Sequence, residues 1–254
     1  MIKADQSLRD YIYQKIHHNI NILHSLPQIQ YEDIEIPTPE EKFKTRVSQL
    51  TSCLRKEFFR YKKAPTFYDP KSYLSLQAGT FLHQLIQYTL KDDLISKEEK
   101  IEYQDLFTGH YDGIINFQNE NSLIEIKSAS PFALQKVLQE IAMVEKDYQS
   151  LNPNMTLYRY LIQANAYIYA LKDITSGWLI LVNKASVKNI DTLFTMKFQY
   201  DENLAGVIIN NAEKLADYIK NNTLPPPIES SWECSYCPYI KCDMNKTKIE
   251  NYEM

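Results

Sequence analysis

Long apolar runs are missing from this chain of 254 residues. Its longest, such as the WLILV stretch at 178–182, fall far short of the roughly 20 residues a membrane-spanning helix needs. The opening MIKADQSLRDYIYQ has no continuous apolar stretch of the kind that marks a secretory signal. A cytoplasmic address is therefore expected. There is no internal repeat, no low-complexity tract and no G-x4-G-K-[ST] phosphate loop, so the sequence carries no recognisable ATP motor of its own. Positive charge is not in surplus either: 28 Lys and Arg against 32 Asp and Glu give a net charge of −4. That removes a general attraction to nucleic acid, although a carboxylate-built active site supplies negative charge itself. Locally, Arg55-Lys56-Glu57-Phe58-Phe59-Arg60-Tyr61-Lys62-Lys63 is basic with interleaved aromatics. It reads either as a phosphate-tracking surface or as the solvated face of an amphipathic helix.

What is present is ordinary for a globular protein, with 44% hydrophobic and 24% charged residues. Helical spacing of Leu8, Ile12, Ile16, Ile20 and Leu23 predicts a first helix within 1–24. A linker rich in acids and proline follows at 25–41. Further helices are expected over Ser48–Tyr61, with Ser48 as a cap, and over Gln77–Leu90. Short alternating or apolar runs at 101–117 and 122–127 read as strands, with Asn119-Glu120-Asn121 as the turn between two of them. Helices at 131–148 and 157–172, strands at 177–183 and 191–199, and a helix at 201–220 complete the pattern, ahead of Pro225-Pro226-Pro227. This order predicts an α/β fold with a central mixed β-sheet flanked by helices.

Glycine is scarce, at five residues, and three of them mark one chemical pattern. Asp112 lies between Gly109 and Gly113, on what is expected to be the second strand of a hairpin. The next strand ends Ile124-Glu125-Ile126-Lys127. Strand side chains alternate faces, so Glu125 and Lys127 share one. With Asp112 beside them, two carboxylates suit a hard cation such as Mg²⁺ or Mn²⁺, and a lysine suits the orientation of an attacking water. A plain surface ion pair would use the same residue types. His83 stands four residues after Gly79, where an imidazole can add a metal ligand or serve structurally. Gln163 and Tyr167 fall one helical turn apart.

Four cysteines remain: Cys234, Cys237 and Cys242 in WECSYCPYIKCD, and Cys53 far upstream in TSCLRKEFFRY. In a cytosolic protein such a set points to metal rather than disulfides. Four thiolates suit zinc or an iron–sulfur cluster, and spacing alone does not choose between them.

Taken in order, GxxxH, GxxDG, ExK and QxxxY resemble the RecB-like branch of the PD-(D/E)xK nuclease superfamily. The resemblance implies a restriction-endonuclease-like core. In it His83, Asp112, Glu125 and the Ile126 carbonyl bind Mg²⁺ or Mn²⁺, Lys127 completes the catalytic site, and Gln163 and Tyr167 lie beside bound DNA. Tyr111 stands where many members have proline, and the long gap from Lys127 to Gln163 implies an inserted helix near 131–148. The distant Cys53 with a C-terminal triplet is similar to the clasp of AddB-type and CRISPR-associated exonucleases, implying a [4Fe-4S] cluster held by Cys53, Cys234, Cys237 and Cys242.

Residues 1–45 fall outside the resemblance and read as an N-terminal extension and linker to a domain over 46–254. The function implied is a metal-dependent exonuclease on single-stranded DNA or DNA ends. Two alternatives stay open: a DNA-binding adaptor acting through a helicase or integrase partner, and a zinc-stabilised binding module.

Overall fold

The computed structural model describes residues 2–19, 44–66, 70–185, 192–228, 233, 234, 237–239 and 242. Residues 20–43, with the tail of the expected first helix and the expected linker, lie outside the described residues.

Two sheets organise the chain. The larger has six strands in the order β1-β9-β8-β7-β6-β3: β1 is Ile2–Ala4, β3 Leu94–Ser96, β6 Gly113–Phe117, β7 Glu120–Ala129, β8 Ser176–Asn183 and β9 Leu193–Gln199. Within this sheet, among the described residues, only β7 and β8 run parallel. The smaller joins β2 (Thr45–Arg46), β5 (Phe107–His110) and β4 (Lys100–Tyr103). Every residue of β8 is buried, as a continuous apolar run in a strand covered on both faces requires. One face carries Leu123, Leu179, Leu181, Met196 and Phe198 and packs under α5 (Pro131–Lys146), α6 (Thr156–Leu171) and α7 (Glu202–Lys220). The other carries Ile124, Ile126, Trp178 and Ile180 and packs under α1 (Ser7–Asn19) and α4 (Pro70–Thr89). This is a central mixed sheet flanked by helices, as expected.

Helix starts are fixed locally. Ser130 caps α5 by accepting from the Ala133 N–H, with Pro131 opening the helix. The α6 start is held across the core instead, where Leu157 N–H donates to Glu140 Oε2 at 2.8 Å.

Four expectations need correction. The helix over Ser48–Tyr61 is two, α2 (Val47–Leu50) and α3 (Leu54–Tyr61). Thr51 and Ser52 turn their hydroxyls onto the Ser48 and Gln49 carbonyls at 2.9 and 3.2 Å, replacing the bonds that would continue the helix. Ser48 therefore lies inside α2, and Cys53 occupies the N-cap position of α3. The region 101–117 holds three strands, and Asp112 falls in the break between β5 and β6 rather than on a strand. The hairpin turn sits at Gln118 and Asn119, whose φ values of 55° and 61° suit the twist of a tight hairpin. Glu120 and Asn121 are already paired with Phe117 and Asn116.

The N-terminal segment is built into the sheet. β1 pairs with β9, and Leu8 and Ile12 of α1 are fully buried.

Candidate active site

Strand β7 creates the site by outrunning its neighbour. β6 pairs with it only as far as Gly113↔Ile124, while β8 accompanies it to Ala129. Beyond Ile124 the β6-side edge of β7 is open. Asp112, the residue before β6 begins, fills part of that opening: its Oδ2 accepts a hydrogen bond of 2.6 Å from the Ile126 N–H. A strand residue's N–H and C=O project to the same edge, so the Ile126 carbonyl faces this opening too.

Helix α4 holds Asp112 from the other side. His83 Nδ1 stands 3.6 Å from Asp112 Oδ1. One turn on, Gln87 Nε2 donates to the Asp112 main-chain carbonyl and to Glu98 Oε1, each at 2.8 Å. Gln87 is only 1% exposed, so its amide position is set by packing. Asp112 is thus fixed through both carboxylate oxygens and its backbone. Glu98, at φ 50°, is the carboxylate against which Gln87 is braced. Burial raises its pKa, Gln87 counteracts this, and the charge of Asp112 raises it further.

Glu125 and Lys127 share a face of β7, as their spacing predicts. Lys127 Nζ lies 2.5 Å from Glu125 Oε1, 3.1 Å from Gln163 Oε1 and over the Tyr160 ring at 5.5 Å. Gln163 Nε2 in turn donates to the Tyr167 hydroxyl at 3.4 Å. Glu125 is 1% exposed, and its Oε2 has no hydrogen-bond partner. Burial holds its carboxyl well above the usual carboxylate range; Lys127 pulls it back and Asp112 pushes it up again. For Lys127 burial opposes the charge, but the carboxylates of Glu125 and Asp112 outweigh it and the pKa is raised. Burial, then the charge of Glu125, raises the Tyr167 hydroxyl. Gly109 leaves room for that ring: a methyl there would meet Tyr167 Cε1 at 2.7 Å.

The structure therefore brings His83, Asp112, Glu125, Ile126, Lys127, Gln163 and Tyr167 to one end of the sheet. Gln87, Glu98 and Tyr160 join them without having stood out in the sequence. The only signal for Gln87 was its place one helical turn after His83. Among the described residues, no three His, Cys, Asp or Glu side chains form a ready-made metal-binding group.

The cysteines belong to a second region. None is in a disulfide. Cys53 opens α3, and the C-terminal segment returns to that helix: Tyr239 bridges to Thr66 and packs on Phe59 at 5.6 Å between ring centroids. Glu233 pairs with Arg159 of α6, and Cys242 is buried.

No protein-family profile matches the chain, and no curated protein matches it. Several solved structures share elements of the fold. The crystal structure of SSO0001 is 17% identical with a TM-score of 0.48, covering 95% of this chain and 99% of that one. An alkaline exonuclease from Laribacter hongkongensis is 12% identical, with a TM-score of 0.46 and coverages of 70% and 89%. A phage-related exonuclease from Haemophilus somnus is 18% identical, with a TM-score of 0.45 and coverages of 72% and 97%. Among the described residues no helix is long and apolar enough to cross a membrane.

Proposed function

We propose that the chain is a metal-dependent DNA nuclease of the PD-(D/E)xK type, with a restriction-endonuclease-like core, acting on single strands or DNA ends. The observation that carries this reading is Glu125 Oε2, a buried carboxylate oxygen with no hydrogen-bond partner, in the same site as Asp112, His83 and Lys127. A buried oxygen of that kind is costly unless a cation meets it. Asp112, Glu125, the Ile126 carbonyl and His83 would hold Mg²⁺ or Mn²⁺, a donor set of mostly hard oxygens. Such an ion, when bound, lowers the pKa of water and neutralises charge on phosphate.

The protein's own groups do the rest. Lys127, fixed by Glu125 and Gln163, presents a hydrogen-bond donor to the attacking water and to the charge that develops on phosphate. Gln163 and Tyr167 place the strand beside it. Gln87 and Glu98 keep Asp112 from rotating away. Duplex unwinding falls to a separate helicase, since the chain has no motor motif of its own.

The [4Fe-4S] clasp belongs to the same proposal. Four cysteines outside disulfides are a donor set of the right chemistry, and the C-terminal segment lies against the helix that Cys53 opens. Its role is structural, tying the chain's ends beside the core.

End-labelled single- and double-stranded DNA incubated with Mg²⁺ or Mn²⁺ tests the enzyme. Wild type degrades it, and Glu125→Ala and Lys127→Ala do not. If wild type leaves every substrate intact, the adaptor reading, through a helicase or integrase partner, replaces this one. Iron and acid-labile sulfide in anaerobically purified protein support the clasp, and zinc in their place overturns it.

A further inference from the structure

Lys127 is held largely from α6. Glu125 reaches it from its own strand at 2.5 Å, while Gln163 and the Tyr160 ring both come from that helix, at 3.1 and 5.5 Å. Whatever fixes α6 therefore fixes the ammonium. The helix supplies little of this itself. Its cap residue, Met155, makes no side-chain cap bond, and its first turn holds no acid to answer the helix dipole.

Two carboxylates from other elements stand in. Glu140 of α5 accepts from the Leu157 N–H at 2.8 Å, 17 residues away in sequence, and is only 6% exposed. It acts as the missing cap. Glu233, on the C-terminal segment, pairs with Arg159, and both side chains are mostly enclosed. Arg159 precedes Tyr160 directly and Gln163 by one helical turn. Burial lowers the Arg159 pKa and the charge of Glu140 raises it, which puts both acids around the same turn.

We infer that Glu140 and Glu233 are positioning residues for cleavage: they lock the first turn of α6, and that turn sets where Gln163 and Tyr160 hold Lys127. The inference rests on the nuclease reading and deepens it by naming what keeps the lysine aimed. Neither acid touches substrate. Each holds geometry, and a lysine displaced by its supports presents its hydrogen-bond donors off line. Because Glu233 adjoins Cys234, the segment that carries the cysteine triplet also steadies the active site.

The test is single-turnover cleavage of an end-labelled single-stranded oligonucleotide by the full chain with Mg²⁺ or Mn²⁺, enzyme in excess. The rate constant at saturation reports the geometry of the reacting groups, whatever fraction of the enzyme is folded. The half-saturating concentration of folded enzyme reports binding. Glu140→Ala is expected to lower the rate constant about tenfold and to leave half-saturation within about twofold of wild type. Glu140→Gln keeps an oxygen for the Leu157 N–H and restores most of the rate. Glu233→Ala lowers the same rate constant about threefold, and it decides the matter should Glu140→Ala fail to fold.

Both losses should shrink below about twofold in a Gln163→Ala, Tyr160→Leu background, where the groups through which the acids act are gone. If wild type cleaves but neither acid's removal slows it, or the losses are as large in that background, the positioning role is wrong and the nuclease stands. A change confined to half-saturation overturns it as well. If wild type cleaves nothing, the nuclease reading fails and takes the inference with it.

Discussion

Glu57 of α3 and Glu125 of β7 are both enclosed, at 0% and 1% exposure, and each has a cation close by. Arg60 Nη1 lies 2.8 Å from Glu57 Oε2, and Lys127 Nζ lies 2.5 Å from Glu125 Oε1. Burial pushes the Glu57 carboxyl up to about 7 against the pull of Arg60 and Lys56. The surroundings differ in what else is charged. Among the described residues, the charges that act on Glu57 are Arg60 and Lys56 of its own helix, and both of its oxygens lack a directed hydrogen bond. Around Glu125 there is a second carboxylate, an imidazole and the open edge of a strand. A buried acid among cations of its own helix serves the fold at some cost to it, whereas a buried acid facing another acid needs a further cation. Depth and pKa alone do not separate the two; the second carboxylate does.

Four experiments break or sharpen this contrast. Glu125→Gln should lower metal-dependent cleavage on the order of 10²–10³-fold and leave thermal stability unchanged or raised, whereas Glu57→Gln should cleave at the wild-type rate. Equal loss in both would erase the distinction. Removing the cation from the structural pair comes next: Arg60→Ala should cost about 1–3 kcal/mol in denaturant unfolding, with cleavage retained by whatever remains folded. On the catalytic side, Gly109→Ala drives a methyl into Tyr167 and should slow cleavage by about tenfold. Far-UV dichroism of that variant should match wild type.

The smallest effect is one of pH. The folded-state value of Glu57 lies above its ordinary 4.5, near 7, so the native state binds this proton more tightly than the unfolded chain does. The stability it contributes is complete below about 4.5 and is lost as pH rises through about 7. Unfolding free energy measured from pH 5 to 8 should fall less steeply in Glu57→Gln than in wild type. An identical pH slope would mean that Glu57 is ionised throughout.

Much of the site was legible because its signal is local. The two-residue spacing of Glu125 and Lys127 dictates a shared face, and the one-turn spacing of Gln163 and Tyr167 lets Tyr167 bond Gln163 while Gln163 meets Lys127. The long elements β8, β9, α5, α6 and α7 were legible for the same reason, each being a run of consistent periodicity. What escaped is set by tertiary contact. Gln87 acquires its role only because α4 crosses the end of β6, and Glu98 only because a short loop folds back on Gln87. The break at Thr51 and Ser52 involves neither proline nor glycine, and β1, with three residues, is too short to show a period. Gly109 and Gly113 look like hairpin punctuation and so point to a strand at Asp112, which lies instead between β5 and β6. Its use depends on the strand ending there.

The pairing of β1 with β9 has a consequence for the order in which the molecule can assemble. Ile2 is bonded in register with Phe198, so β1 waits for β9, made almost two hundred residues later. At roughly 5–20 residues per second of synthesis, the opening segment spends on the order of ten seconds or more without its partner, and the Leu8 and Ile12 face of α1 stays uncovered on one side. Contacts this far apart in sequence also close slowly. Fragments that stop short of residue 193 should therefore leave the N-terminus exposed to proteases, while the full chain protects it.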